Sequence, residues 1–179
     1  MCSHRFCTGR RRFLLVGVAT GLLAACGQSA IGTGPLLPVE IDRGTACALD
    51  GMLLADYSGP KAQIHYDGIA EPDFFCDTVE MFSLYLNPEQ VRQVRAMFVQ
   101  DMGKADWDAP RGHWIEARGA WYVVGSSRRG AMGPTIGSFA GKADAQGFAS
   151  RYGGSVHRFE DITPDSVALD GGVLRDQGM

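Results

Sequence analysis

After residue 45, apolar and polar residues alternate in short runs that are separated by Gly, Pro, Asn and Asp. Alternation with a period of two predicts β-strands, whereas apolar residues spaced by three or four predict helices. In the first half this pattern predicts strand, strand, helix, strand, and Asp77 is a candidate helix N-cap. The predicted strands are residues 52–57, 61–66 and 96–102, and the predicted helical segments are the ambiguous 77–86 and one that begins at Asn87.

The second half repeats the order of the first. Gly119 separates two strand-like runs and predicts a hairpin, and Gly153-Gly154 ends a helical run. The predicted strands are residues 113–118, 120–127 and 155–161, the predicted helix is 143–152, and a short last helix begins at Thr163 and Pro164. The sequence therefore predicts an α+β fold of two ββαβ modules, about 45–104 and 105–175, packed as one small globular unit.

The first 25 residues are typical of an export signal. Three arginines, residues 10–12, precede an apolar run over 13–25 that is too short to cross a bilayer as a helix. GRRRFL resembles a twin-arginine signal, and LAAC resembles a bacterial lipobox, in which the cysteine, here Cys26, is diacylated. We therefore expect a lipoprotein signal peptide over 1–25, followed over 26–44 by the lipidated cysteine and a flexible tether. The alternative is an ordinary cleavage site with an unmodified cysteine.

Removal of this signal changes the charge of the chain. Four of its 17 Lys and Arg lie in the signal, but none of its 20 Asp and Glu does, so the mature chain has a net charge of −7. This balance argues against nucleic-acid binding. It fits a periplasm-facing domain that stands off an anionic membrane surface while acyl chains on Cys26 anchor it. Gly27 replaces the aspartate that often retains lipoproteins at the inner membrane, which slightly favours the outer membrane.

Candidate chemistry begins with two sulfur atoms on one short turn. Cys47 and Met52 are five residues apart, and Gly51 between them permits a tight return of the chain. Soft sulfur ligands favour monovalent copper over harder cations. The alternatives are a disulfide between Cys47 and Cys76, which export permits, and a methionine that simply fills the core.

Four motifs follow one another in the mature chain: CALDGMLLADYSGPKAQI, FFCDTVEMF, QDMG and WIEARGAWYVVGSSRRGAMGPTIGSF. With the signal and lipobox, they resemble the NosL family of accessory lipoproteins in nitrous oxide reductase maturation. The resemblance covers essentially all of the mature chain and implies a NosL-like copper-binding domain over 45–179. It also implies a fold of two ββαβ modules, similar to part of the organomercurial lyase.

The same resemblance implies a periplasmic Cu(I) chaperone and not an enzyme. Its expected client is apo nitrous oxide reductase, whose copper–sulfide site it would supply, and its expected co-worker is an ABC-type membrane complex. Two other functions stay open from the residues alone. One is an adaptor lipoprotein that has a structural Cys47–Cys76 disulfide and docks to a membrane complex. The other is a lyase of organometallic bonds, which rests on fold analogy.

Two ligands on one turn need a third from elsewhere in the chain. Met132 lies in a Gly-rich stretch and Met102 directly precedes a glycine, so both are candidate copper ligands, with core packing as the alternative. His113 and Asp50 are weaker candidates, either as ligands or as hydrogen-bonding groups beside the metal. Cys76 is not assigned to the site, because a second thiolate would hold Cu(I) harder than a chaperone needs.

Overall fold

The computed structural model describes residues 35–167. The predicted signal peptide, the lipidation site at Cys26 and the residues from 168 onwards lie outside the described residues. Within residues 35–167, no helix combines the length and the apolar character that crossing a bilayer requires.

The first ββαβ module and one later strand build a four-stranded antiparallel sheet: β2 (Asp73–Phe75), β1 (Ala62–Tyr66), β3 (Val94–Gln100) and β4 (Trp114–Glu116), in that order across the sheet. Its central strand β1 is buried along its whole length, which fits its position between two partners and beneath a helix. The helix is α1 (Thr78–Tyr85).

The second module repeats strand, strand, helix, strand and again has its first strand in the centre, in the order β8-β5-β9. A small hairpin, β6 with β7, is inserted between its first two strands. The elements are β5 (Trp121–Val124), β6 (Arg129–Gly130), β7 (Gly133–Pro134), β8 (Gly137–Phe139), α2 (Lys142–Tyr152) and β9 (Ser155–Arg158). The α+β class is confirmed, and each half contains the predicted ββαβ order.

One apolar core joins the two modules. Ile64 of β1 and Phe82 of α1 share it with Tyr122 of β5 and with Phe159, which follows β9. The rings of Phe82 and Tyr122 meet edge to face with centroids 5.1 Å apart. Shared burial of this kind makes folding of the two modules mutually dependent.

The last part of the predicted tether packs on the first sheet. The Gln63 side chain accepts a hydrogen bond from Val39 N at 2.8 Å and donates one to Val39 O at 2.9 Å. Ile41 is buried, and Trp114 Nε1 donates to Glu40 Oε2 at 3.1 Å. Residues 39–41 therefore belong to the folded unit.

The predicted strand over 52–57 is wrong, because a short 3₁₀ helix, Leu54–Asp56, occupies these residues. The amide of Leu54 donates to Thr45 O at 3.0 Å, so the backbone closes the Cys47 turn and does not extend a sheet. The strand that pairs with β1 on this side is β2, whose three residues are too few for an alternating pattern to be recognised in the sequence.

The predicted helix after Asn87 is also wrong. Asn87 Oδ1 accepts from Glu89 N at 2.9 Å, and Gln90 bonds the backbone of Arg92, so side chains satisfy the amides that a helix would use. Val91 in this segment is 91% exposed, so the segment does not bury an apolar face as a packed helix would.

The predicted hairpin through Gly119 does not form. β4 pairs with β3 in the first sheet, whereas β5 pairs with β8 and β9 in the second. A 3₁₀ turn over Ala117–Gly119 carries the chain between the sheets, and Glu116 caps it by accepting from Gly119 N at 2.8 Å. The predicted α2 and the short last helix, Pro164–Val167, are confirmed.

Candidate metal site

Cys47 sits on a closed turn that docks against the end of β2. Its amide donates to Met52 O at 2.8 Å, and its carbonyl accepts from Gly51 N at 2.9 Å. Gly51 has φ of 78°, which L side chains rarely adopt, so the glycine is what allows the return. The Ala48 amide donates to Phe74 O at 2.7 Å, which fixes the turn to the first sheet.

Helix α1 brings a second thiol and a carboxyl group to the same place. Asp77 caps the helix by accepting from Val79 N, Cys76 directly precedes this cap, and Glu80 lies in the first turn. Glu80 Oε2 lies 3.2 Å from Cys47 Sγ and 3.1 Å from Cys76 Sγ. Together with Asp50, these residues offer four ligand atoms that all lie within 4.8 Å of one another.

The cluster is buried except on one side. Cys76 and Glu80 are fully buried and Cys47 is 4% exposed, whereas Asp50 faces solvent. Within residues 35–167 both cysteines are free thiols, and Glu80 Oε1 has no hydrogen-bond partner. Burying a carboxyl oxygen without a hydrogen-bond partner destabilises a fold. The described part of the chain does not satisfy Glu80 Oε1, so this oxygen is available to a bound ligand.

The surroundings of the two thiols shift their pKa values in opposite directions. A hydrogen bond from the Cys76 thiol, with help from nearby backbone amides, lowers the pKa of Cys47 to about 6 against the opposing effect of burial. The same hydrogen bond, together with burial and the Glu80 carboxyl, raises the pKa of Cys76. Burial raises the pKa of Glu80 to about 7. Cys47 is therefore the thiolate of the pair, and Cys76 is the protonated donor beside it.

A buried lysine supplies positive charge behind the thiols. Lys61 Nζ donates to Ser58 O and to Cys76 O, both at 3.0 Å. Burial lowers its pKa to about 8, while the facing Asp77 and Glu80 oppose that shift. The lysine thus remains charged at neutral pH and anchors the backbone carbonyl of Cys76.

The structure packs one of the predicted methionines, Met52, on the apolar residues around Cys47 and buries another, Met102, elsewhere. Met52 is half-buried against the apolar cluster that holds Cys47, and Ala131, next to Met132, packs on the same cluster. Met132 itself is 41% exposed. Met102 is buried in a separate cluster with Val123 and Phe139.

His113 is an exposed residue with φ of 53°, next to Trp114, which packs on the Cys47 cluster. Asp50 is part of the four-residue group, and its Oδ1 also accepts from Met52 N at 2.9 Å. Asp50 therefore fixes the turn that carries Cys47, and its role as a ligand or as a hydrogen-bonding group beside the metal stays a prediction.

Comparison with known proteins decides the family. The sequence profile of NosL matches residues 38–167, which include every member of the cluster. The chain belongs to the NosL family. The copper-binding lipoprotein NosL of Stutzerimonas stutzeri is 39% identical over 161 residues, covering 89% of this chain and 82% of that protein. The copper-binding lipoprotein NosL of Achromobacter cycloclastes is 38% identical over 164 residues, covering 89% and 83%.

The fold agrees with that of a solved NosL structure. The crystal structure of the copper chaperone NosL from Shewanella denitrificans matches with a TM-score of 0.70 and 43% identity. The match covers 74% of this chain and 99% of that one. The NosL resemblance drawn from the sequence motifs is therefore confirmed.

Sequence reasoning did not assign Cys76 and Glu80 to the site. Their signal was present as a cysteine directly before the Asp77 cap and a glutamate in the first turn of the helix, which puts both residues at the N-terminal end of α1. What the sequence lacked was any indication that this end of the helix would meet the Cys47 turn, which lies 29 residues earlier than Cys76.

Proposed function

We propose that this chain is a periplasm-facing, lipid-anchored Cu(I) metallochaperone that delivers copper for assembly of the copper–sulfide site of nitrous oxide reductase. The observation that carries the proposal is the partly open cluster in which Cys47, Cys76 and Glu80 meet, with Met52 packed on the apolar residues around Cys47. The copper-binding names of the NosL relatives support the choice of metal.

The chemistry of Cys47 suits copper loading at neutral pH. Metal binding requires the thiolate, and a thiol of pKa about 6 is already deprotonated at pH 7. Because Cys76 is held protonated, it stabilises the thiolate by hydrogen bonding and does not add a second negative ligand. Thiolate and thioether donors select Cu(I) over hard cations.

The proposed ligand set is Cys47 with the thioethers of Met52 and Met132. Thioethers bind without losing a proton, so each can be replaced in turn by a ligand of an incoming partner. Delivery is then ligand exchange, and the ion is never released to solvent. Met132 is included because its neighbour Ala131 packs on the apolar residues around Cys47. Met102 is left out because it is buried in a separate cluster, and its ligand role and that of His113 stay predictions from the sequence.

The proposed partners are apo nitrous oxide reductase and the ABC-type membrane complex of the same maturation system. Acyl chains on Cys26 would hold the domain at the membrane, with the outer membrane slightly favoured. The tether before residue 39 would let the exposed side of the cluster reach a partner.

Copper binding is tested by titration against the Cu(I) chelator bicinchoninate under reducing, oxygen-free conditions. We expect Cys47→Ser to abolish competitive binding and Met52→Leu and Met132→Leu each to weaken it by about tenfold, as expected for loss of one ligand. Met97→Leu is the matched control, because Met97 is fully buried in the main core and tolerates an apolar residue of similar size. Unchanged affinity in Cys47→Ser would contradict the proposal.

Delivery is tested in a denitrifying bacterium that lacks its own NosL-family gene. We expect the wild-type chain to restore reduction of nitrous oxide and Cys47→Ser to leave the gas accumulating. Restoration by Cys47→Ser would mean that the chain acts without copper, as the adaptor alternative requires. The two free thiols of the described structure favour the chaperone over that alternative.

A further inference from the structure

The hairpin that carries Met132 is too small to hold its own shape. β6 and β7 have two residues each, and Ala131 and Met132 form the tip between them. A two-stranded hairpin is marginal in water even when it is longer. A methionine at such a tip would be ordered only when copper bound, and that ordering would cost affinity. The hairpin therefore needs anchors outside itself.

Asp77 contacts both arms of this hairpin and its tip. On the β7 side, Thr135 Oγ1 donates to Asp77 Oδ1 at 2.6 Å, and both residues are buried. On the β6 side, a Cβ added to Gly130 would overlap Asp77 Oδ2, so only glycine lets the backbone approach this closely. The amide of Met132 faces the same carboxyl group and lowers its pKa, although among the described residues Oδ2 has no hydrogen bond of ordinary geometry.

Asp77 is also tied to the thiol side of the site. Its Oδ1 accepts from Val79 N at 2.9 Å as the cap of α1, and it directly follows Cys76. The neighbouring Thr78 adds a second connection, because its Oγ1 donates to Ile136 O at 2.6 Å. One carboxyl group thus connects the start of α1, which carries Cys76 and Glu80, to the hairpin that carries Met132.

We infer that Asp77 and Thr135 are positioning residues that hold Met132 in place for Cu(I) beside Cys47. This inference rests on the proposed function and adds residues that do not touch the metal. Its physical basis is preorganisation: the buried Thr135–Asp77 hydrogen bond orders the hairpin before copper arrives, so the ion does not have to order it.

The test uses the full chain, expressed with its own leader and purified in detergent, and the variants Thr135→Val, Thr135→Ser and Met132→Leu. Thr135→Val removes the hydroxyl at nearly constant size, while Asp77 keeps its bond to Val79 N. Ser138→Ala is the matched control, since it removes an equally buried hydroxyl bond of 2.6 Å, from Ser138 of β8 to Gln100 O of β3.

Two quantities are measured: Cu(I) affinity against bicinchoninate, and the shift of the labelled Met132 methyl resonance when Cu(I) is added. We expect Thr135→Val to weaken Cu(I) binding by about tenfold, the equivalent of one buried hydrogen bond, and to diminish the methyl shift. We expect Thr135→Ser to restore both and Ser138→Ala to change neither. In the Met132→Leu background, Thr135→Val should cost no further affinity, because the bond acts through Met132.

Three results would overturn the inference. One is wild-type affinity and a wild-type methyl shift in Thr135→Val. Another is an equal loss of affinity from Thr135→Val with and without Met132, which would mean a general structural effect. The third is full affinity in Met132→Leu, which removes the ligand that Asp77 and Thr135 are inferred to position. The proposed function survives all three as long as Cys47→Ser still abolishes copper binding.

Discussion

Cys47 and Cys76 carry the same side chain, yet their surroundings hold them in different protonation states. The Cys76 thiol donates to Cys47, and backbone amides of the turn add further donors, so the negative charge settles on Cys47. The pKa of Cys76 is raised instead, because its ionisation would break the hydrogen bond to Cys47 and place a second negative charge in a buried position beside Glu80. A reactive thiolate thus results from geometry, not from the cysteine itself.

We expect the thiolate absorbance in the ultraviolet to rise with a midpoint near pH 6 as the metal-free chain is titrated. Cys47→Ser should remove this transition, which identifies its source. Cys76→Ala should move the midpoint upwards, because it deletes the largest cause of the lowered pKa. A wild-type transition confined to the ordinary range of cysteine, near pH 8.5, would contradict the assignment of the thiolate to Cys47.

At the scale of elements, the N-terminus of α1 organises the site. Its cap, Asp77, is buried, and burial raises the pKa of this carboxyl to about 6 despite bonds from Thr135 and Val79. In the unfolded chain the pKa is about 4, so the folded chain binds the proton more tightly. The contribution to stability is therefore full below about pH 4 and is lost as the pH rises through about 6.

We expect the free energy of unfolding to lose about 3 kcal/mol from this group between pH 4 and pH 7. Asp77→Asn should lack that part of the pH dependence, since an amide does not titrate. Urea unfolding of both proteins across this range measures the difference between them. Glu80 also has a raised pKa, so its contribution to the free energy of unfolding falls with pH in the same way. Because Glu80 is present in both proteins, its contribution cancels in the difference between their curves. Parallel curves for the two proteins would show that Asp77 titrates normally in the fold.

Elements whose ends are determined by neighbouring residues could be predicted from the sequence. Elements that depend on contacts with distant parts of the chain could not. α1 has its Asp77 cap and α2 ends at a glycine pair, so both could be identified from nearby residues. β4 and β5 look like a hairpin, because nothing near Gly119 indicates that they join different sheets. The same limit applies to the site, where Cys47 was found from its turn but Glu80 was not.

At the scale of the whole molecule, the cluster is assembled from two distant segments, the turn 47–52 and the start of α1, and Ala131 of the hairpin tip packs on the apolar residues around it. Each segment is fixed by backbone or side-chain hydrogen bonds to a ββαβ module, and the two modules share one core. The fold thus leaves one side of a buried cluster open while the rest of the chain gives it rigid support.

The anchor gives a prediction that depends on the whole chain. If Cys26 is lipidated, the wild-type protein should be recovered with the membrane fraction, since two or three acyl chains bind stably. Cys26→Ser should shift it to the soluble periplasmic fraction, with Cu(I) affinity unchanged, because residues 39–167 contain the cluster and its supports. Density-gradient separation of the wild-type membranes distinguishes outer from inner membrane. Membrane recovery of Cys26→Ser would mean that something other than lipid holds the chain there, and weakened copper binding would mean that the anchor contributes to the site.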